Sequence, residues 1–104
     1  MDMIELLQSL RPQIMELCRK HHVRRLELFG SAALGEFDGA SSDIDFLVDF
    51  DELKDGAYVD HYFGLLEDLE TLLGRHVDLV VLRAIKNPYF QESLDHSREL
   101  LYAA

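Results

Sequence analysis

Two aspartates occupy alternate positions at the start of a predicted strand. Asp43 and Asp45 are separated by one residue, and side chains at i and i+2 of a strand point to the same face. Their Cα atoms would lie roughly 6.5–7 Å apart, which lets the carboxylate oxygens converge on one divalent ion. Magnesium takes hard oxygen ligands and keeps water and substrate phosphates among them. The pair therefore predicts a magnesium site of the kind that supports phosphoryl or nucleotidyl transfer.

A third carboxylate, Asp78, begins another predicted strand, on the face opposite that strand's apolar residues. On a neighbouring strand it would complete a site for two magnesium ions. Asp49 shares a face with Asp45 but lies about 13 Å further along the strand. It is therefore too far away to bind the same magnesium ions. Each carboxylate also has a plain interpretation, with Asp43 and Asp45 as an exposed strand end and Asp78 as an edge-strand charge that favours solubility.

A Gly-Ser turn precedes the aspartates in the chain. Gly30 lets the backbone approach a ligand without a Cβ in the way, and Ser31 offers a hydroxyl. The start of the short helix predicted after them would present unpaired N–H groups to an anion. Gly-Ser alone is an ordinary turn, but before a strand with two aspartates it predicts a triphosphate site.

The histidines and the cysteine predict no competing site. The spacing of the five histidines fits no metal-binding motif, so they are expected at the surface or at helix ends: His21, His22, His61, His76 and His96. Cys18 shares helical spacing with Ile14 and Leu17, which indicates a small core residue. A single cysteine also excludes an internal disulfide.

Hydrophobic periodicity predicts the elements that must position these residues. We expect helix from 2 to about 21 with a break at Pro12, strands over Val23–Phe29, Asp43–Phe50 and Val77–Leu82, a short helix over Ala32–Glu36, a long helix over Tyr58–Leu73, and a last helix from Tyr89 to about Leu101. The middle strand alternates, so one sheet face should be buried and the other partly open and acidic. The order predicts an α/β (α+β) fold, a small mixed sheet with helices on one face, in one domain over 1–104.

Composition narrows the possible partners. The 104 residues carry a formal net charge of −10, from 20 acidic and 10 basic residues, which disfavours direct nucleic-acid binding. The basic cluster from Arg19 to Arg25 is either a solvated helix end or a phosphate-steering or partner-contact patch. No apolar run approaches the ~20 residues that span a bilayer, and the acidic start lacks the basic region of a signal peptide. No membrane partner and a cytoplasmic location are therefore expected.

These residues together resemble the minimal nucleotidyltransferase family of the DNA polymerase β superfamily, over nearly the whole chain. The resemblance is carried by Leu28-Phe29-Gly30-Ser31, by Ser42-Asp43-Ile44-Asp45-Phe46-Leu47-Val48, by Val77-Asp78-Leu79-Val80, and by the terminal segments from Asn87 to Phe90 and from Glu99 to Ala103. It implies a polymerase β-like nucleotidyltransferase fold. It also implies that Gly30 and Ser31 bind triphosphate, that Asp43 and Asp45 bind magnesium, and that Asp78 is the third catalytic carboxylate.

The resemblance further implies an ATP-dependent enzyme that uses magnesium, with two ions, and acts as the antitoxin of a HEPN ribonuclease toxin by transferring AMP to a toxin tyrosine. Many members carry arginine directly after Gly-Ser, where this chain has Ala32. Two other classes therefore stay open: an idle antitoxin or regulatory module that occludes its partner, and a transferase acting on a small hydroxylated substrate. Homo- or hetero-oligomerisation is also left open.

Overall fold

The computed structural model describes residues 3–29, 44–51, 56–81 and 98–104. Within these ranges the chain forms three helices and four strands: α1 Met3–Ser9, α2 Arg11–Lys20, β1 Val23–Phe29, β2 Ile44–Phe50, α3 Ala57–Leu73, β3 Val77–Val81 and β4 Glu99–Ala103. The short helix expected over Ala32–Glu36 lies outside the described residues. None of the described helices has the length and apolarity needed to cross a membrane.

The three described helices begin and end close to their predicted limits. Pro12 lies in the first turn of α2, where its missing N–H costs nothing and its fixed φ suits a helix start. The predicted break between α1 and α2 is therefore confirmed. Gly74 ends α3 in a left-handed conformation with φ +66°, and its N–H donates to the carbonyl of Glu70 at 2.8 Å. Glycine adopts this backbone at little cost, which makes it the usual residue at this position.

The four strands form one mixed sheet in the order β3-β2-β1-β4. β1 pairs antiparallel with both β2 and β4, while β2 and β3 run parallel. A parallel pair needs a long crossover connection, and α3 lies between β2 and β3 in the chain. The predicted α/β fold with a small mixed sheet is confirmed.

The main core lies between the helices and one sheet face. It is formed by residues that alternate along the strands together with the inner faces of the helices: Leu7, Ile14, Cys18, Leu26, Leu28, Ile44, Phe46, Val48, Leu65, Leu69, Val77, Leu79 and Leu101 among others. Cys18 is fully buried, and burial raises the pKa of its thiol to about 12. The prediction that Cys18 is a core residue is confirmed.

The opposite sheet face is less open than the alternation of β2 predicts. Leu47 and Phe29 are only 2% and 8% exposed, and with Val80 they form a second, small apolar cluster. The acidic surface of this face lies instead where β2 and β3 begin. Asp45 is half-buried there and Asp78 is exposed.

The predicted end of the last helix is wrong. Residues 99–101, expected as its final turn, belong to β4, which pairs with β1 through Leu28 with Glu99 and Glu27 with Leu100. Leu101 is buried in the main core. Leucine favours helix in isolation, but here pairing along an otherwise open edge of β1 outweighs local propensity.

Candidate active site

The parallel pairing of β2 and β3 brings two of the predicted carboxylates side by side. Asp45 is the register partner of Asp78. Neighbouring strands are about 4.8 Å apart, and register partners point to the same face. The N–H of Ile44 donates to the carbonyl of His76 at 3.2 Å, which extends the pairing to the end of the sheet at which both aspartates lie. The backbone therefore sets the spacing of the two carboxylates.

The other three predicted site residues, Gly30, Ser31 and Asp43, lie outside the described residues. Their roles stay predictions. The structure does show that Phe29, which Gly30 follows in the chain, pairs with Asp45.

A cleft opens at the end of the sheet where Asp45 and Asp78 lie. Its walls combine these carboxylates with apolar and aromatic side chains from β1 and α3, and its lining includes Phe29, Asp45, Tyr62, Leu66, His76 and Asp78. The hydroxyl of Tyr62 donates to the carbonyl of Leu79 at 2.6 Å. Tyr62 thus packs on the core and also lines the cleft.

The carboxylate oxygens at this end of the sheet are suitable ligands for magnesium. Asp45 and Asp78 supply carboxylate oxygens from adjacent strands, and magnesium is bound by one or two carboxylates together with substrate phosphates. In the part of the chain that the structure describes, no three or more histidine, cysteine, aspartate or glutamate side chains are grouped to hold a metal ion. A third protein carboxylate would therefore have to come from outside that part, where the predicted ligand Asp43 lies.

Glu27 is a buried carboxylate that sequence reasoning did not single out. It lies on the same sheet face as Phe29 and is only 3% exposed. Arg25 and Arg98 both donate to it, the latter also through Nη2 at 2.9 Å. Burial raises the pKa of Glu27, but the hydrogen bonds and charges of Arg98 and Arg25 outweigh this and hold the pKa below its usual value. The charge of Glu27 is thus balanced within the protein by two arginines.

His21 lies at the end of α2, as expected of a helix-end histidine, but its ring is only 6% exposed. Its Nε2 lies 2.7 Å from Oδ2 of Asp68, and its Nδ1 lies 3.2 Å from Nδ1 of His61. Polar partners on α3 make the burial tolerable, and sequence spacing gives no sign of contacts between residues 40 or more apart. Hydrogen bonds from His21 and then from Lys20 hold the pKa of Asp68 below its usual value.

Comparison with known proteins agrees with this geometry. The family model of the nucleotidyltransferase domain matches residues 10–101. A Methanocaldococcus jannaschii protein that carries the provisional name protein adenylyltransferase is 39% identical over 94% of both chains. The protein adenylyltransferase MntA of Thermococcus cleftensis is 38% identical over 84% of this chain and 81% of its own. The chain belongs to the nucleotidyltransferase domain family.

Solved structures are similar over the same span. One described provisionally as a minimal nucleotidyltransferase has a TM-score of 0.74 at 34% identity, covering 95% of both chains. Another, a toxin–antitoxin structure with AMP-PNP, has a TM-score of 0.68 at 25% identity and covers 90% of this chain and 73% of its own. The four-stranded mixed sheet with its helices is thus the minimal nucleotidyltransferase fold.

Proposed function

We propose that this protein is a magnesium-dependent protein adenylyltransferase that transfers AMP from ATP to a tyrosine of a HEPN ribonuclease toxin and thereby acts as its antitoxin. The observation that carries the proposal is the register pairing of Asp45 with Asp78 at the open end of a nucleotidyltransferase sheet. The relative named as a protein adenylyltransferase and the toxin–antitoxin structure with AMP-PNP support it. We propose a cytoplasmic location and a single functional domain over 1–104.

The site residues fall into two groups in this proposal, one that binds magnesium and one that binds the triphosphate. Asp43, Asp45 and Asp78 hold magnesium, which neutralises phosphate charge when bound. Gly30 and Ser31 cradle the triphosphate with backbone N–H groups and a hydroxyl. The carboxylates alone would repel ATP, so the Gly-Ser turn and the metal-binding carboxylates must act together.

The reaction forms one bond and breaks one. The tyrosine oxygen attacks the α-phosphorus of ATP, and the bond from that phosphorus to the oxygen bridging to the β-phosphate breaks. Pyrophosphate leaves, and the tyrosine proton passes to a base. Asp78 is exposed and lines the cleft, and a positioned carboxylate is a competent general base for that proton.

The experiment incubates the protein with ATP, magnesium and the HEPN toxin proposed as its partner, and measures the intact mass of that toxin. We expect added mass in steps of one AMP with the wild type. Asp45→Asn and Asp78→Asn should each lower the transfer rate by at least about 100-fold, within the range seen when a group acting on the transition state is removed.

Asp60→Asn is the matched control. Asp60 is an exposed aspartate in the first turn of α3, away from the cleft lining, so the change removes the same charge and should leave transfer intact. Undiminished transfer in well-folded Asp45→Asn and Asp78→Asn variants would overturn the proposed site.

The alternative is an antitoxin that occludes its partner without chemistry, and Ala32 in place of the arginine of many relatives is the feature that favours it. A growth-rescue assay separates the two. Rescue by Asp45→Asn with no mass added to the toxin would establish occlusion. Loss of rescue and of added mass together, with the circular dichroism spectrum unchanged, would support transfer.

A further inference from the structure

A second polar cluster lies at the far side of the molecule, between the end of α2 and one face of α3. The buried ring of His21 projects from the end of α2 and contacts His61 and Asp68 on α3, with Nδ1–Nδ1 and Nε2–Oδ2 distances of 3.2 Å and 2.7 Å. His22 adds a third ring, whose centroid is 4.9 Å from that of His61. None of these residues lines the cleft of Asp45 and Asp78.

Hydrogen bonding fixes which nitrogen of His21 is free to accept. An ionised carboxylate only accepts hydrogen bonds, so Nε2 of His21 carries a proton and donates it to Asp68. In a neutral ring this leaves the lone pair on Nδ1, and that lone pair points at Nδ1 of His61. Either a proton bridges the 3.2 Å gap, donated by His61 or by a protonated His21, or a cation lies between two lone pairs.

The separation of the two nitrogens suits the second arrangement. Zinc binds histidine nitrogen at about 2.0–2.1 Å with tetrahedral angles, which places two ligating nitrogens about 3.3–3.4 Å apart. The chain of carboxylate, histidine and metal is the usual way in which a protein orients a ligating imidazole. Here Asp68 would be the outer carboxylate and His21 the oriented ligand.

We propose that His21 and His61 form a site for a divalent transition-metal ion of the zinc type, with Nδ1 of each ring as ligand and water in the remaining positions. The site is distinct from the proposed magnesium site in donor chemistry, since imidazole nitrogen suits zinc, nickel and copper whereas carboxylate oxygen suits magnesium. The bound ion would link the end of α2 to α3.

The fold makes specific room for the His21 ring. Gly64, one turn after His61 on the same helix, faces that ring so closely that a Cβ there would lie 2.7 Å from Cε1 and 3.3 Å from Nδ1 of His21. Lys20 contacts the same oxygen of Asp68 at 3.0 Å, which helps to fix the carboxylate. The two ligands therefore come from rigid elements whose relative position is set by other contacts.

The test measures zinc binding without nucleotide, on tag-free protein carrying Asp45→Asn and Asp78→Asn so that the carboxylate pair cannot contribute. Isothermal titration with Zn²⁺ should show one ion per chain, and Co²⁺ should give the visible absorption of a nitrogen-ligated ion. In that background His61→Ala should weaken binding at least tenfold. Asp68→Asn should weaken it by 10–100-fold, the range for loss of an outer-sphere partner.

His76→Ala in the same background is the matched control, because it removes a histidine that is exposed and outside the cluster; its zinc affinity should be unchanged. His61 is only partly buried, so its replacement should leave the fold intact by circular dichroism. Zinc should also raise the melting temperature of the background protein by several degrees and that of His61→Ala by none. Absence of saturable zinc binding, or equal binding by His61→Ala, would overturn the proposal.

Discussion

At the scale of the residue, two acidic side chains on one sheet face differ in how their charge is balanced. Glu27 is buried and accepts hydrogen bonds from Arg25 and Arg98, so its charge is balanced within the protein. Asp78 is exposed beside Asp45, so two like charges are held together at the strand starts. The first arrangement contributes to stability, whereas the second places negative charge at the open end of the sheet, where a bound cation would contact it.

Glu27→Gln should destabilise the fold by about 1–3 kcal/mol. The change keeps the shape of the side chain but leaves two guanidinium groups without their anion, and the figure is below that for a fully buried pair because both arginines are partly exposed. Urea denaturation monitored by circular dichroism measures the loss. Glu67→Gln, at an exposed position of α3, should change stability by less than about 0.5 kcal/mol. A similar small change at Glu27 would contradict the role assigned to its ion pairs.

The pH dependence of the free energy of unfolding should also report the ion pairs of Glu27. The pKa of Glu27 is lower in the folded protein than its usual value, so the folded state binds this proton more weakly than the unfolded state. Its stabilisation is therefore complete above the unfolded value of about 4.3 and is lost as pH falls through the lower folded value. The difference in unfolding free energy between wild type and Glu27→Gln should shrink over that acidic interval. A difference that stays constant down to pH 3 would contradict this assignment.

At the scale of the element, α3 is attached to β3 through the backbone of the strand as well as through the core. Tyr62 donates to the carbonyl of Leu79 at 2.6 Å, and the N–H of Val77 donates to the carboxylate of Glu70 at 3.0 Å. The strand that carries Asp78 is thus held by one side chain on either side of that residue. The position of the candidate site depends on this attachment.

Tyr62→Phe and Glu70→Ala should each lower the free energy of unfolding by about 1 kcal/mol, because each leaves a backbone group of β3 without its partner. Tyr62→Phe removes only a hydroxyl, so its effect reports the hydrogen bond rather than packing. Glu67→Ala, on the exposed face of the same helix, controls for the loss of a glutamate. Chemical denaturation measures all three variants. Unchanged stability of both Tyr62→Phe and Glu70→Ala would show that packing alone positions β3.

Gly64→Ala should destabilise the protein, although alanine in place of glycine normally stabilises a helix by about 0.5–1 kcal/mol. The new Cβ would lie 2.7 Å from the ring of His21, so the ring or the helix must move. The double variant His21→Ala/Gly64→Ala removes the obstacle, and the substitution at Gly64 should then be neutral or stabilising. Comparing melting temperatures across this double-mutant cycle tests the contact, and a stabilising Gly64→Ala in the wild-type protein would contradict it.

Local signals explain why most elements were predictable. Alternation identified β1 and β2, helical spacing with Pro12 and Gly74 identified the helix limits, and the two-residue spacing of Asp43 and Asp45 suggested metal-binding chemistry. The features that the sequence did not reveal depend on contacts distant in sequence. β4 is a strand because β1 offers it an edge, and His21 is buried because α3 supplies its partners. The spacing of neighbouring residues in the sequence predicts neither the β4 strand nor the burial of His21.

At the scale of the whole molecule, the net charge of −10 adds to the electrostatic repulsion between Asp45 and Asp78. Like charges on paired strands destabilise a sheet by a fraction of a kcal/mol, and excess negative charge elsewhere adds to this repulsion. Salt screens such interactions between exposed groups. The placement of Asp45 beside Asp78 should therefore cost some stability in low salt when no cation is bound.

Asp78→Asn should accordingly stabilise the ligand-free protein in low salt, by about 0.5 kcal/mol or a rise of roughly 2–4 °C in melting temperature. The gain should shrink as NaCl is added, because the repulsion that it relieves is screened. Asp60→Asn changes the net charge equally but removes an anion from the first turn of α3, where it favours the helix dipole, so it should not stabilise. Calorimetry of the three proteins from low to high NaCl measures both effects. An Asp78→Asn variant that is less stable than wild type, by an amount independent of salt, would show that this aspartate supports the fold rather than straining it.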